Sequence, residues 1–297
     1  MSSLDETYEA TIKDYWSLLK PGVMSLVVFT GAVGLFAAPV SLNLFTSLLV
    51  IASIALGSGA GAAINMWYDA DIDALMKRTQ QRAAPTGKIS RDDILIIGLG
   101  LSILSVALLG LSTNWAAGGL LAFAIWFYAC FYTMILKRRT AQNIVIGGAA
   151  GAFPPMIGWL AANPVLTIEP IIYFLVIFFW TPPHFWALAL YRNDDYKTAN
   201  IPMLPVTAGE SVTLNNILGY SIILAVITLL PIFLGFLGWT YTIAALILNA
   251  VFLVKAYRLW RDADDKKSMN LFGYSILYLF ALFTCVIIDK IVATYII

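Results

Sequence analysis

The chain has 297 residues, 60% hydrophobic and only 12% charged, with a formal net charge of +1. That charged share is about half of a soluble domain's, and mean hydropathy is +0.83, so an ordinary water-exposed globular domain is excluded and most of the surface must face lipid. The balanced charge offers nucleic acid no basic field, and Cys130 and Cys285, without a CxxC partner, read as inert buried thiols rather than a disulfide framework.

Residues 1–21 begin MSSLDETYEATIKDYW, an acidic, amphipathic stretch without the basic flank and short apolar core of a cleavable signal peptide. A helix crosses a bilayer with about 20 mostly apolar residues. Candidate spans are 22–40, 43–66, 93–111, 115–136, 143–162, 169–190, 214–236, 239–257 and 272–295. The fifth holds GGAAGAFPPMIGW at 147–159, whose small residues allow close helix packing. Lys and Arg accumulate in cytoplasmic loops. With the N-terminus inside, inner segments hold 17 of the 18 basic residues, and Lys290 alone falls near an outer end. The expected fold class is therefore all-α: a polytopic membrane helix bundle of about nine transmembrane helices, N-terminus cytoplasmic. Residues 1–21 form a cytoplasmic segment and 22–297 a single transmembrane domain.

The first long inner loop opens with NMWYDADID at 65–73. Asn65, Asp69 and Asp73 fall at i, i+4 and i+8, one face of a continuing helix, while Asp71 points elsewhere. Stacked oxygen ligands at the mouth of a bundle suit Mg²⁺, which keeps waters and is shared with substrate phosphates. Lys77, Arg78 and Arg82 follow and would neutralise such phosphates. An EF-hand is rejected, because Ala74 and Gln80 stand where its Gly and Glu belong. The plain alternative is a solvated mixed-charge loop. Acids at a membrane boundary are costly unless used, which counts against it.

The sixth span contains WTPPHFWALAL with His184, the only histidine. An ionisable group in a membrane helix is a functional candidate. It could ligate a metal or haem, accept a proton, or fill the hydrogen-bond break at Pro182 and Pro183. YRNDDYK at 191–197 brings Asp194, Asp195 and Lys197 to the same membrane side as the first cluster, suggesting two halves that face one pocket. Solvated, snorkelling side chains are the alternative there. ANIPMLPVTAG then reads as a proline-broken loop. Aromatic residues crowd the central spans, where some could stabilise a developing cation. In the last span Asp289 and Lys290 read as snorkelling outward.

These residues resemble a known family. NMWYDADIDALMKRTQQRAAPTGKIS is similar to the first motif of the UbiA-type intramembrane prenyltransferases, N-x-x-x-D-x-x-x-D followed by R-T-x-x-R. LLKPGVMSLVVFTGAVG, YTMILKRRTAQNIVIGGAAGAFPPMIGW and TPPHFWALALYRNDDYKTANIPMLPV resemble its haem O synthase branch. The resemblance implies helices around a central cavity open to lipid. It implies transfer of farnesyl from farnesyl diphosphate to a vinyl group of haem B, giving haem O. It implies Mg²⁺ held on the diphosphate by Asn65, Asp69, Asp73 and Asp195, with Lys77, Arg78, Arg82, Lys137, Arg138 and Lys197 on the leaving diphosphate. His184 would bind haem or handle a proton. Haem O feeds haem–copper oxidases, so haem A synthase and oxidase assembly proteins are the implied partners. The site would face the cytoplasm, in the inner membrane of a bacterium. Two departures stand out: Tyr191 occupies the position four before Asp195, and Lys20-Pro21-Gly22 replaces the family's frequent Lys-Pro-Arg. A quinone-type aromatic prenyltransferase is the rival enzyme. A transporter is the rival of another class, and it would place its charges nearer the midplane.

Overall fold

The computed structural model describes residues 10–295, so residues 1–9 of the expected N-terminal segment lie outside it. The described residues form helices and connecting turns, with no strand among them. Helix α1 (Ile12–Leu18) starts at a capping box in which the Thr11 side chain and Asp14 satisfy each other's backbone N–H groups. Pro21 then opens α2 (Pro21–Ala37), where its missing N–H costs nothing.

The remaining apolar stretches fold as the long helices that bilayer thickness demands. These are α3 (Leu44–Tyr68), followed by the one-turn α4 (Ala70–Leu75); α5 (Arg91–Ser112); and α6 (Trp115–Trp126), which continues as a π-helical segment (Phe127–Leu136). The fifth span is two helices, α7 (Asn143–Ala152) and α8 (Pro154–Ala162), because Pro154 and Pro155 withdraw two N–H donors. Then come α9 (Ile168–Tyr191), α10 (Asn193–Thr198), α11 (Leu204–Thr207), α12 (Gly209–Ile227), α13 (Leu230–Phe233), α14 (Trp239–Arg261) and α15 (Asp265–Tyr295). Among the described residues, eight helical stretches are long and apolar enough to cross a membrane, and the 17-residue α2 is a shorter apolar helix beside them. The stretch expected as an irregular loop at 199–209 contains one helical turn, α11.

Contacts between helices run in chain order around the bundle: α2 on α3, α3 on α5, α5 on α6, the π-helical segment on α7, and α7 on α9. They continue through α12 and α14 to α15, which closes back on α2. The main apolar core joins α9, α12, α14 and α15, and a second one joins α2, α3, α6 and α8. Large apolar side chains such as Ile103, Leu111, Leu44 and Ile247 point outward and are more than half exposed, as a lipid-facing surface requires.

Close helix crossings follow from small residues. A Cβ on Gly158 would fall onto the Gly31 carbonyl, and one on Gly34 would fall onto the Pro155 backbone. Helices α2 and α8 therefore touch backbone to backbone. On the side away from the acidic clusters, Asp289 is buried rather than snorkelling. Its carboxylate accepts from the backbone N–H groups of Gly238 at 2.7 Å and Tyr241 at 3.1 Å. It thus caps α14 from across the bundle, and satisfying orphan donors at a helix N-terminus with an anion is favourable.

Candidate active site

The first acidic motif sits where α3 ends. Asp69 leaves helical geometry, yet the i→i−4 pattern continues through it: the Asp69 N–H donates to the Asn65 carbonyl at 2.9 Å and the Asp73 N–H to the Asp69 carbonyl at 2.8 Å. Asn65, Asp69 and Asp73 are all buried, while the side chain of Asp71 is 64% exposed.

Four cations from three parts of the chain converge on them. Lys137 Nζ donates to Asp69 Oδ2 at 2.5 Å, and Asn65 Nδ2 donates to the same oxygen at 2.7 Å. Arg82 Nη1 lies 2.7 Å from Asp73 Oδ2. Arg138 grips exposed Asp71 with both terminal nitrogens, at 2.7 and 2.8 Å, and approaches Asp69 Oδ1 at 3.5 Å. That pairing lowers the Asp71 carboxyl and raises the Arg138 guanidinium. Thr79 Oγ1 donates to the Asp73 carbonyl at 2.9 Å, folding the R-T-x-x-R segment back over the acids.

Sequence reasoning counted Lys20 as an inner-segment charge and as part of the Lys20-Pro21-Gly22 departure, and gave it no place in the site. Its ammonium donates to Asn65 Oδ1 at 2.6 Å, and its φ of 51° lies in the left-handed region that ordinary residues avoid. Burial, then Arg82, pushes this ammonium down to about 7. A lysine placed just before a helix-opening proline was the available signal.

The π-helical segment explains how Lys137 arrives. A backbone i→i−5 bond runs from the Lys137 N–H to the Tyr132 carbonyl at 2.9 Å, and the Thr133 hydroxyl donates to the Tyr128 carbonyl at 2.8 Å. Each such step adds a residue per turn and re-aims the side chains beyond it. Thr133 thereby accepts from Asn65 Nδ2 at 3.1 Å. Tyr128 and Tyr132 stack 5.7 Å apart, and Gly61 on α3 and Gly147 on α7 make room for their rings.

The second motif is arranged differently. Asp195 Oδ2 is buried without a hydrogen-bond partner, its nearest cation being Arg192 at 3.9 Å. Lys197 is exposed, pairs with exposed Asp194 at 3.8 Å and does not join the first network. The two motifs share a small apolar cluster that packs Ile72 and Met76 against Ala199, Ile201 and Met203, with Tyr196 beside them. A cleft of about 240 Å³ runs between them, from Asp71 and Arg138 to Asn200. Arg78, exposed like Lys77, interacts with the Tyr196 phenol, which burial raises.

No three acid, His or Cys side chains among the described residues gather closely enough to form a complete metal cage. Two buried carboxylates, one amide and a separate orphaned carboxylate fit a Mg²⁺ whose other ligands are phosphate oxygens and water.

His184 lies in the C-terminal half of α9, the half that leads to the second motif. It does not fill the Pro182–Pro183 break. Its Nδ1 instead meets Ser275 Oγ on α15 at 2.6 Å.

The sequence and the fold have known counterparts. The profile of the UbiA prenyltransferase family matches residues 26–283. A protoheme IX farnesyltransferase of Rhizobium etli (strain CIAT 652) is 51% identical over 292 residues, 97% of this chain and 92% of that protein. One from Parvibaculum lavamentivorans is 52% identical over 282 residues, 94% of this chain and 89% of that protein. Among solved structures, one described for digeranylgeranylglyceryl phosphate synthase superposes with a TM-score of 0.79 at 18% identity, covering 94% of this chain and 98% of that one. A UbiA homolog from Archaeoglobus fulgidus bound to DMAPP and Mg²⁺ gives a TM-score of 0.70 at 18% identity, covering 92% and 99%. On matched length, identity and fold together, the chain belongs to the UbiA prenyltransferase family.

Proposed function

We propose that this protein transfers the farnesyl group of farnesyl diphosphate to a vinyl group of haem B, yielding haem O and diphosphate, at the cytoplasmic face of the membrane. The relatives named protoheme IX farnesyltransferase match nearly the whole chain at about half identity, which supports both substrates. The observation that carries the chemistry is the buried Asn65–Asp69–Asp73 ladder ringed by Lys20, Arg82, Lys137 and Arg138.

A diphosphate head enters from water at this end of the bundle while its tail lies among apolar helices. Bound Mg²⁺ would supply Lewis-acid charge neutralisation to the diphosphate, held by Asn65, Asp69 and Asp73, with Asp195 approaching from the second motif. Lys137 and Arg82, now on the carboxylates, would turn to the phosphate oxygens. Lys20, Arg138 and Arg78 extend the same positive rim, with Lys77 and Lys197 at its exposed edge. Charge that develops on the leaving oxygen as the C–O bond breaks meets these preplaced cations. The allylic cation left behind is kept from water by the apolar bundle, with Tyr128 and Tyr132 among the aromatic rings on the π-helical segment. The haem vinyl carbon attacks it. Water adds to the new cation beside the ring and releases a proton, leaving a hydroxyl.

The test is an assay of detergent-purified protein with haem B, farnesyl diphosphate and Mg²⁺, with and without EDTA, read by mass spectrometry of extracted haems. A metal-dependent haem carrying one farnesyl plus water is expected. Product from 4-hydroxybenzoate but not from haem B would replace the acceptor with a quinone precursor.

A further inference from the structure

His184 is the chain's one histidine, and it is held on three sides. Its ring is sandwiched between Trp180, at 4.3 Å and 18° between planes, and Phe272, at 4.6 Å and 22°. Phe185 meets it edge-on at 5.0 Å. This stacking fixes the plane of the imidazole and leaves only its edges for polar contacts.

One edge is taken. Nδ1 lies 2.6 Å from Ser275 Oγ, and that same Oγ lies 2.6 Å from the Phe272 carbonyl. A hydroxyl has one proton to give, and a carbonyl can only accept. The serine proton therefore goes to Phe272, and Ser275 must accept from His184. The only tautomer that satisfies both contacts carries its proton on Nδ1. Ser275 is itself anchored, because Trp180 Nε1 donates to its carbonyl at 2.7 Å. Nε2 is then an unprotonated nitrogen with no protein partner among the described residues. Metal-binding histidines are commonly built in this way, with the far nitrogen donating to a fixed acceptor so that the near lone pair is aimed and made more basic.

We propose that Nε2 of His184 is an axial ligand to the iron of the haem substrate, and that Ser275 is a positioning residue that holds the required tautomer. The inference rests on haem B being the acceptor. Its chemistry is simple coordination: the lone pair fills one axial position, with no change in proton count or oxidation state. Iron ligated from α9 would fix the porphyrin at a set height below the diphosphate network, and so select which ring edge meets the prenyl carbon.

The single histidine makes the test direct. The protein is made with [¹⁵N]histidine and a purification tag that contains no histidine, then loaded with ferric haem B, and the bound haem is examined by pulsed electron paramagnetic resonance. Strong ¹⁵N coupling of a directly bonded nitrogen is expected, because only His184 carries the label. Haem that binds without that coupling would overturn the proposal, even if farnesylation proceeds normally. Failure of haem B as a substrate would instead sink the underlying reading, and turnover is scored separately.

Nitrogen NMR of the same labelled protein without haem should show a protonated Nδ1 and a bare Nε2, and the reverse pattern would remove the role of Ser275. Outer partners of metal-binding histidines typically contribute about 10–100-fold in affinity. Ser275→Ala should therefore weaken haem binding by at least about tenfold, and Ser275→Thr should restore it. For His184→Ala, added free imidazole should restore a nitrogen-ligated haem spectrum. Unchanged ligation in His184→Ala without imidazole would refute the assignment.

Discussion

Lys137 and Asp69 meet at 2.5 Å across 68 residues of chain, one at the end of a π-helical segment and the other at the end of α3. The carboxylate is buried, and the lysine side chain is 18% exposed. Removing one partner of such a pair leaves an uncompensated charge, at a cost of about 3–5 kcal/mol when burial is complete. Lys137→Met should therefore lower both the melting temperature in detergent and turnover. Adding Asp69→Asn should recover the melting temperature but not turnover. Recovery of both would make the pair purely structural.

Asp69→Ala and Asp73→Ala should each reduce turnover by about 10²–10³-fold while the protein still purifies as a monodisperse, helical species. Haem O formation at the normal rate by either variant would remove these carboxylates from the chemistry. Chelation by EDTA should abolish wild-type turnover, and Mg²⁺ should restore it.

Lys20 has a strained backbone and an ammonium in the network, and the two can be separated. Lys20→Gly relieves a conformation that costs an ordinary residue about 1–3 kcal/mol. Stability should hold or rise, while KM for farnesyl diphosphate rises about tenfold through loss of a charge-assisted contact. An unchanged KM would leave Lys20 a helix-start residue only.

Asp289→Ala should lower stability by about 1–2 kcal/mol, the usual scale of a lost N-cap, with Asp289→Asn intermediate. Turnover by the folded fraction should stay near wild type, since the residue caps α14 on the side away from the acidic motifs. Thermal unfolding in parallel with the haem assay decides this.

Gly158→Ala tests the α2–α8 crossing. A methyl group there would fall onto the Gly31 carbonyl oxygen, which is backbone rather than the end of a flexible side chain. Overpacking of this kind typically costs about 1–3 kcal/mol, visible as a lower melting temperature. Gly100→Ala, with open space around its Cβ, is the matched control.

The spans were legible because hydropathy over 20 residues is a bulk property that neighbours rarely reverse. Asn65, Asp69 and Asp73 were legible as a set because i, i+4 spacing survives the end of α3. Other features depend on partners far away in the chain. Nothing in FYACFYTMIL announces an i→i−5 ladder, so the aim of Lys137 was hidden. Asp289 beside Lys290 looked like a snorkelling pair because its true partners, Gly238 and Tyr241, lie about fifty residues earlier. Ser275 is an ordinary serine in an apolar run until α15 is laid against α9. Asp195 stood out in sequence, and the burial of its Oδ2 without a hydrogen-bond partner required the fold.

Helix α9 carries His184 seven residues before its last residue, Tyr191, with the second acidic motif directly beyond. At 1.5 Å per residue that interval is about 10 Å. The helix therefore works as a ruler between the level of the acceptor and the level of the leaving group. Inserting one residue between them would lengthen the interval only slightly, but it would turn the two ends about 100° relative to each other. Evolving the fold toward a wider or narrower acceptor is thus easier through side chains facing α9 than through its length.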